Sequence, residues 1–148
     1  MSKLRNYTSA VPAAKSQAAI EQLLVQAGAT TTSKFFSEVT KQCEGFFFQI
    51  KVGEVPLAFK LPVNTDLVYQ QFVATTRNLD ARKRAQLRAQ AERTAWRTLH
   101  EWAQIQLDMI ALNQVELLQV LMPYQYDQER QQTFFERVAG SDLKLLKP

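Results

Sequence analysis

The chain has 148 residues, 46% of them hydrophobic, with 18 Lys and Arg against 14 Asp and Glu. That length suits one domain of about 100–200 residues with a real core, and no stretch approaches the roughly 18 uninterrupted apolar residues of a membrane span. A lone Cys43 and a lone His100 leave no internal disulfide framework, no Cys-rich zinc site and little material for a His-based triad.

The charged N-terminus has no apolar run behind it, so no signal peptide is expected. With a single cysteine, this predicts a cytoplasmic protein with no membrane partner. Leu4 to Val11 alternates weakly and predicts a short strand ended by Pro12. Ala19, Ile20, Leu23, Leu24 and Ala27 then recur at helical spacing, which predicts a helix over 13–27 closed by Gly28.

From Thr30 the period changes to two. Thr31 to Val39 reads as a strand and Lys41 to Gly45 as a turn. Phe46 to Val52 and Val55 to Leu61 read as two further strands, joined by a tight Gly53-Glu54 hairpin. Asn64 or Thr65 can cap a helix from Asp66 to about Thr76. Asn78-Leu79-Asp80 marks a break, and a long helix is predicted from about Asp80 to Leu121 or Met122, stopped by Pro123. Gln131 to Ala139 predicts a short terminal helix ended by Gly140.

The predicted fold class is therefore α+β in a single domain, residues 1–148. An N-terminal β-α-β-β-β unit with a small antiparallel sheet occupies 1–63. A helical part over 64–148 follows, with the long amphipathic helix packed beside the sheet. Leu112, Val115, Leu118 and Leu121 exceed what one small sheet can cover and point to a homodimer.

Charge is the most informative pattern. Residues 77–97 carry Arg77, Arg82, Lys83, Arg84, Arg88, Arg93 and Arg97 against Asp80 and Glu92, net +5. Residues 1–76 are net +2 and residues 98–148 net −3. A concentrated positive helix is the footprint of a polyanion, and the arginine fork holds a phosphate by two hydrogen bonds. At about 100° per residue, Trp96, Leu99, Trp102, Ala103 and Ile110 fall in one apolar stripe. The same phase carries Arg84 and Arg88 onto the apolar side, which a core cannot accept unpaired. Either the helix breaks before about Ala89 or its first turns project. All seven cations are candidate nucleic-acid or partner-binding residues, with Arg77, Arg82, Lys83, Arg84 and Arg88 standing clear of the core and Arg93 and Arg97 on a packed stretch. The bland alternative is a solvated helix face.

Catalytic patterns are thin. Glu21, Glu38 and the Gln49-Ile50-Lys51 triplet follow the order of a metal-dependent nuclease. The strand-end Asp is missing, however, and Gln49 is a weak metal ligand. Cys43 and His100 have nothing that brings them together. No Gly-rich phosphate loop or zinc spacing occurs. A non-enzyme without cofactor or metal is expected.

Four phrases carry a resemblance: Tyr7 to Ser16, Leu57 to Asn64, Ala95-Trp96-Arg97 with Trp102 and Gln106-Leu107, and Val120 to Tyr124. Together they resemble a family of small proteins of bacterial phages, prophages and mobile elements. The resemblance implies a mobile-element setting and transfers no functional residue. In that setting two expectations arise: an accessory factor that binds nucleic acid through the Arg-rich helix, or an anti-CRISPR-like inhibitor that binds an acidic or nucleic-acid-binding host protein.

Overall fold

In the computed structural model, which describes residues 3–148, the change of period near residue 30 becomes a three-stranded antiparallel sheet of order β1-β2-β3. The strands are β1 (Ala29–Phe36), β2 (Cys43–Val52) and β3 (Val55–Pro62). The fold class is α+β, with five α-helices among the described residues: α1 (Ala13–Gln26), α2 (Thr65–Ala74), α3 (Ala81–Ala111), α4 (Leu117–Leu121) and α5 (Phe134–Gly140).

Alternation along β2 sorts the sheet into two faces. Phe46, Phe48 and Ile50 are buried opposite Leu61, Phe59 and Leu57 of β3. Phe47, Gln49 and Lys51 point the other way, beside Lys60 and Ala58. The hairpin turns on Gly53-Glu54 between paired Val52 and Val55. Gly53 at φ +63° takes the first turn position, where a side chain is disfavoured. Gly45 has a different task. It pairs with Phe35 on one side and Pro62 on the other. A Cβ there would run into the Leu61 carbonyl oxygen and stand 2.7 Å from the Phe35 ring. Gly45→Ala is therefore expected to destabilise the protein by about 3 kcal/mol, the upper end of overpacking costs. A urea midpoint equal to wild type would show that this register is wrong.

Several elements depart from the sequence expectation. Leu4 to Val11 is not a strand. It forms two turns, with Asn6 at φ +62° and backbone bonds from Tyr7 to Leu4 and Ser9 to Asn6. β1 begins two residues earlier than expected and stops at Phe36, because the Ser37 hydroxyl accepts from the Val39 and Thr40 amides and folds 37–40 into a turn. Cys43 belongs to β2 rather than to a turn.

The long helix ends at Ala111, ten residues early. Asn113 adopts φ +58°, its N–H donates to the Ile110 carbonyl, and the Gln114 N–H donates to the Met109 carbonyl. This is a Schellman cap with asparagine in the glycine position. A new helix, α4, then starts behind Glu116, whose N–H donates to the Gln119 side chain. Leu112 is consequently 71% exposed in the capping turn while Leu121 is buried. The single stripe that pointed to a homodimer is thus interrupted. A short hairpin, β4 (Tyr126–Asp127) with β5 (Gln132–Thr133), precedes α5 and was not expected. It delivers Thr133 as the α5 cap: its hydroxyl accepts from the Glu136 N–H, and the Glu136 carboxylate accepts from the Thr133 N–H.

The chain divides into two compact units, residues 1–23 with 63–105, and residues 24–62 with 106–148. Each therefore draws on both sides of residue 63. The first has ten Lys and Arg against five Asp and Glu, net +5; the second has eight against nine, net −1. In the first, Ile20, Leu23, Ala91, Ala95, Trp96 and Ala103 are buried. In the second, the buried set is centred on Phe46, Phe48, Ile50, Phe59 and Leu61, with Leu121 and Val138.

Candidate nucleic-acid interface

The basic element belongs to the first unit, so its geometry starts at the α2–α3 connection. α2 is capped by Asn64, whose side chain accepts from the Leu67 N–H. At its far end the Thr76 hydroxyl donates back to the Phe72 carbonyl. Arg77 follows, exposed, and Asn78 at φ +56° turns the chain. Asp80 then caps α3 by accepting from the Lys83 N–H at 2.7 Å.

Residues 81–86 are all exposed, and α3 is one unbroken helix of 31 residues. The phase conflict in the sequence is thus resolved by projection, not by a break. Arg82, Lys83 and Arg84 are consecutive, so they fan over about 200° of the helix surface. No ion pair is formed by Arg77, Arg82, Lys83 or Arg84 among the described residues. Cations in the first turn also oppose the helix dipole, whose positive end lies there. This local arrangement costs folding energy and gains no internal contact.

The other three cations are structural. Arg88 is not free for a partner: it donates to Asp66 of α2 at 3.0 Å and lies 3.7 Å over the Tyr69 ring. The helix phase places it toward α2, which supplies an acid and a ring to a side chain still one-third exposed. Arg93 donates its Nε to the Ser9 carbonyl at 3.2 Å and a terminal nitrogen to the Gln90 side chain at 2.6 Å. Arg97 pairs with Glu101 at 3.3 Å and lies 3.2 Å from His100 Nδ1. These two residues belong to a clamp on the N-terminal segment. The Thr94 hydroxyl donates to the Asn6 carbonyl at 2.8 Å, the Gln90 amide to the Ser9 carbonyl at 3.1 Å, and Arg5 pairs with Glu101. The carbonyls of a predicted strand are thus satisfied by helix side chains.

The clamp has an electrostatic signature. The hydrogen bond from Arg5, with the Arg5 and Arg97 charges, holds the Glu101 carboxyl below its ordinary value despite partial burial. Burial, then the Arg97 charge, lowers the His100 pKa against the opposing pull of Glu101. A carboxylate with a depressed folded pKa stabilises the fold above its unfolded value, near 4.5 here, and loses that contribution as pH falls through the folded value. Glu101→Gln is therefore expected to be less stable than wild type at neutral pH, with the gap closing below about pH 4.5. Thermal melts over pH 3–7 check this; a gap independent of pH would remove the ionic clamp.

A groove of about 370 Å³ opens beside this element, entirely within the first unit. Tyr7 of the N-terminal segment, Phe72 of α2, its C-cap Thr75 and Leu87 of α3 supply its walls, with Lys3 and Gln71 also lining it. The sequence reading missed it, because Tyr7 and Phe72 lie in separate predicted elements. The available signal was the stripe Lys83, Leu87, Gln90 and Thr94, which share one helix face.

The other candidate sets are not assembled as expected. Glu38 lies in the turn after β1 and not on a strand. Gln49 and Lys51 do share the open sheet face. Among the described residues, no group of three or more His, Cys, Asp or Glu side chains could hold a metal ion. Cys43 is buried, with its thiol 3.6 Å from the Gly45 carbonyl. No helix among the described residues is long and apolar enough to cross a membrane. Comparison of the chain with protein-family models, with curated proteins and with solved structures finds no match.

Proposed function

We propose that this protein is a non-enzymatic nucleic-acid-binding factor of the cytoplasm that holds phosphates with Arg77, Arg82, Lys83 and Arg84. The observation that carries this reading is the approach to α3 and its start: four exposed cations without an ion-pair partner, three of which, Arg82, Lys83 and Arg84, are placed against the local helix dipole. A solvated face is usually laced with acids. Here Asp80 is the one acid between Arg77 and Arg84, a single carboxylate, used as the helix cap, against four cations. The concentration of net +5 in one unit and −1 in the other supports the same reading, since a polyanion is attracted to one part of the chain and not to the whole. Arg93 and Arg97, which serve the N-terminal clamp, contribute field rather than contacts.

Fluorescence anisotropy with a labelled single strand and a labelled duplex tests the proposal. Each phosphate contact releases counterions, so log K should fall with log salt at a slope of about −3 for four contacts. No binding of either probe at about 50 mM salt would sink it and turn attention to an acidic protein surface as the partner.

A further inference from the structure

We infer that the groove between the N-terminal segment, α2 and α3 takes an unpaired nucleobase of a strand whose phosphates are held by the start of α3. This rests on the phosphate-binding reading above and names its ligand class: single-stranded nucleic acid.

Three observations lead there. First, two rings, Tyr7 and Phe72, line the groove together with the aliphatic Leu87. Tyr7 is 39% exposed at its mouth, and Phe72 and Leu87 are half-buried within it. An aromatic ring with an accessible face stacks on any base, so such a wall is sequence-tolerant. Second, its rim is polar. Lys3 sits over the Tyr7 ring at 5.0 Å, and the Thr75 hydroxyl donates to its own helix while keeping lone pairs for a donor on a base edge. Third, two of the free cations neighbour its lining residues along the chain. Arg77 directly follows Thr76, which lines the groove, and Lys83 stands one helical turn before Leu87 on the same face. A ligand filling the groove while meeting these cations needs flat rings joined to regularly spaced negative charges. A duplex keeps its bases stacked inside, so the groove selects for unpaired ones.

Three probes of equal length, about 15 nucleotides, separate the base from the phosphates: oligothymidylate, a fully abasic strand and a blunt duplex. The full-length protein is expected to bind oligothymidylate about tenfold or more tightly than the abasic strand. Tyr7→Ala should bring the two together with the salt slope unchanged, because slope counts phosphates and not stacked bases. Equal affinity of wild type for base-bearing and abasic strands overturns the groove assignment while leaving the phosphate site standing. So does a Tyr7→Ala effect that is equal on both strands. If neither strand nor duplex binds, both readings fall together.

Discussion

Replacing Arg82, Lys83 and Arg84 together by glutamate is expected to abolish nucleic-acid binding while leaving the protein as stable as wild type, or more stable. The substitution changes the charge by six units and takes the first unit from +5 to −1. All three side chains are exposed, and none is held by an ion pair. Removing them therefore breaks nothing internal. Glutamates in the first turn also complement the positive helix end that the native cations oppose. The predicted combination, a loss of at least a hundredfold in affinity with an unchanged or raised melting temperature, is diagnostic. A residue kept for folding shows the reverse. Arg93→Ala provides that contrast: it removes a donor from the Ser9 carbonyl and from Gln90, so stability should fall and affinity change little. If the triple variant melts well below wild type, the start of α3 has a structural partner and the assignment fails. If it binds as wild type does, the cations are a solvated face.

Trp96→Ala should be among the most damaging single substitutions in the first unit. Trp96 is fully buried and sits one turn after Glu92 and directly after buried Thr94 and Ala95. Ala91, Ala95 and Ala103 of the same helix are also buried in the first unit, and side chains this small cannot expand into the space an indole leaves. Truncating a buried Trp costs about 3–5 kcal/mol when the site does not collapse. Against a total stability of about 5–15 kcal/mol, that is a large share. A lowering of Tm by roughly 10 °C or more is expected, since a chain of this size shifts about 2–4 °C per kcal/mol. Trp102, half-buried on the same stripe, should cost less. If Trp102→Ala proves the more damaging of the two, the core of this unit has been placed on the wrong helix turn.

Where one segment settles its own conformation, the sequence was readable. The period-two run with Phe46, Phe48 and Ile50 became β2, the Gly53-Glu54 pair became its hairpin, and Asn64 capped α2. These signals depend on residues two to four apart, so no distant partner can override them cheaply. The α+β class followed directly. The sequence left a break or a projection open at the start of α3; the unbroken helix projects at Arg84 but turns Arg88 onto α2. Helix endings were less legible. Ala111 ends α3 because Asn113 tolerates a left-handed backbone, a property that competes weakly against the strong apolar period on both sides.

Only tertiary structure decided the rest. Leu4 to Val11 has strand-like composition, yet it pairs with no strand among the described residues. Side chains of α3, eighty or more residues away, take its carbonyls and hold it in turns. The same contacts divided the seven cations. Local charge density marks all seven alike, because it does not depend on what they touch. Asp66 with Tyr69 is distant in sequence from Arg88, and Ser9 from Arg93, whereas Glu101 lies one helical turn from Arg97; by engaging these three they leave Arg77, Arg82, Lys83 and Arg84 without an ion pair. Sequence alone thus determined where the positive charge lies, since charge is a property of residues. The fold decided which part of it is free, since an ion pair is a property of position.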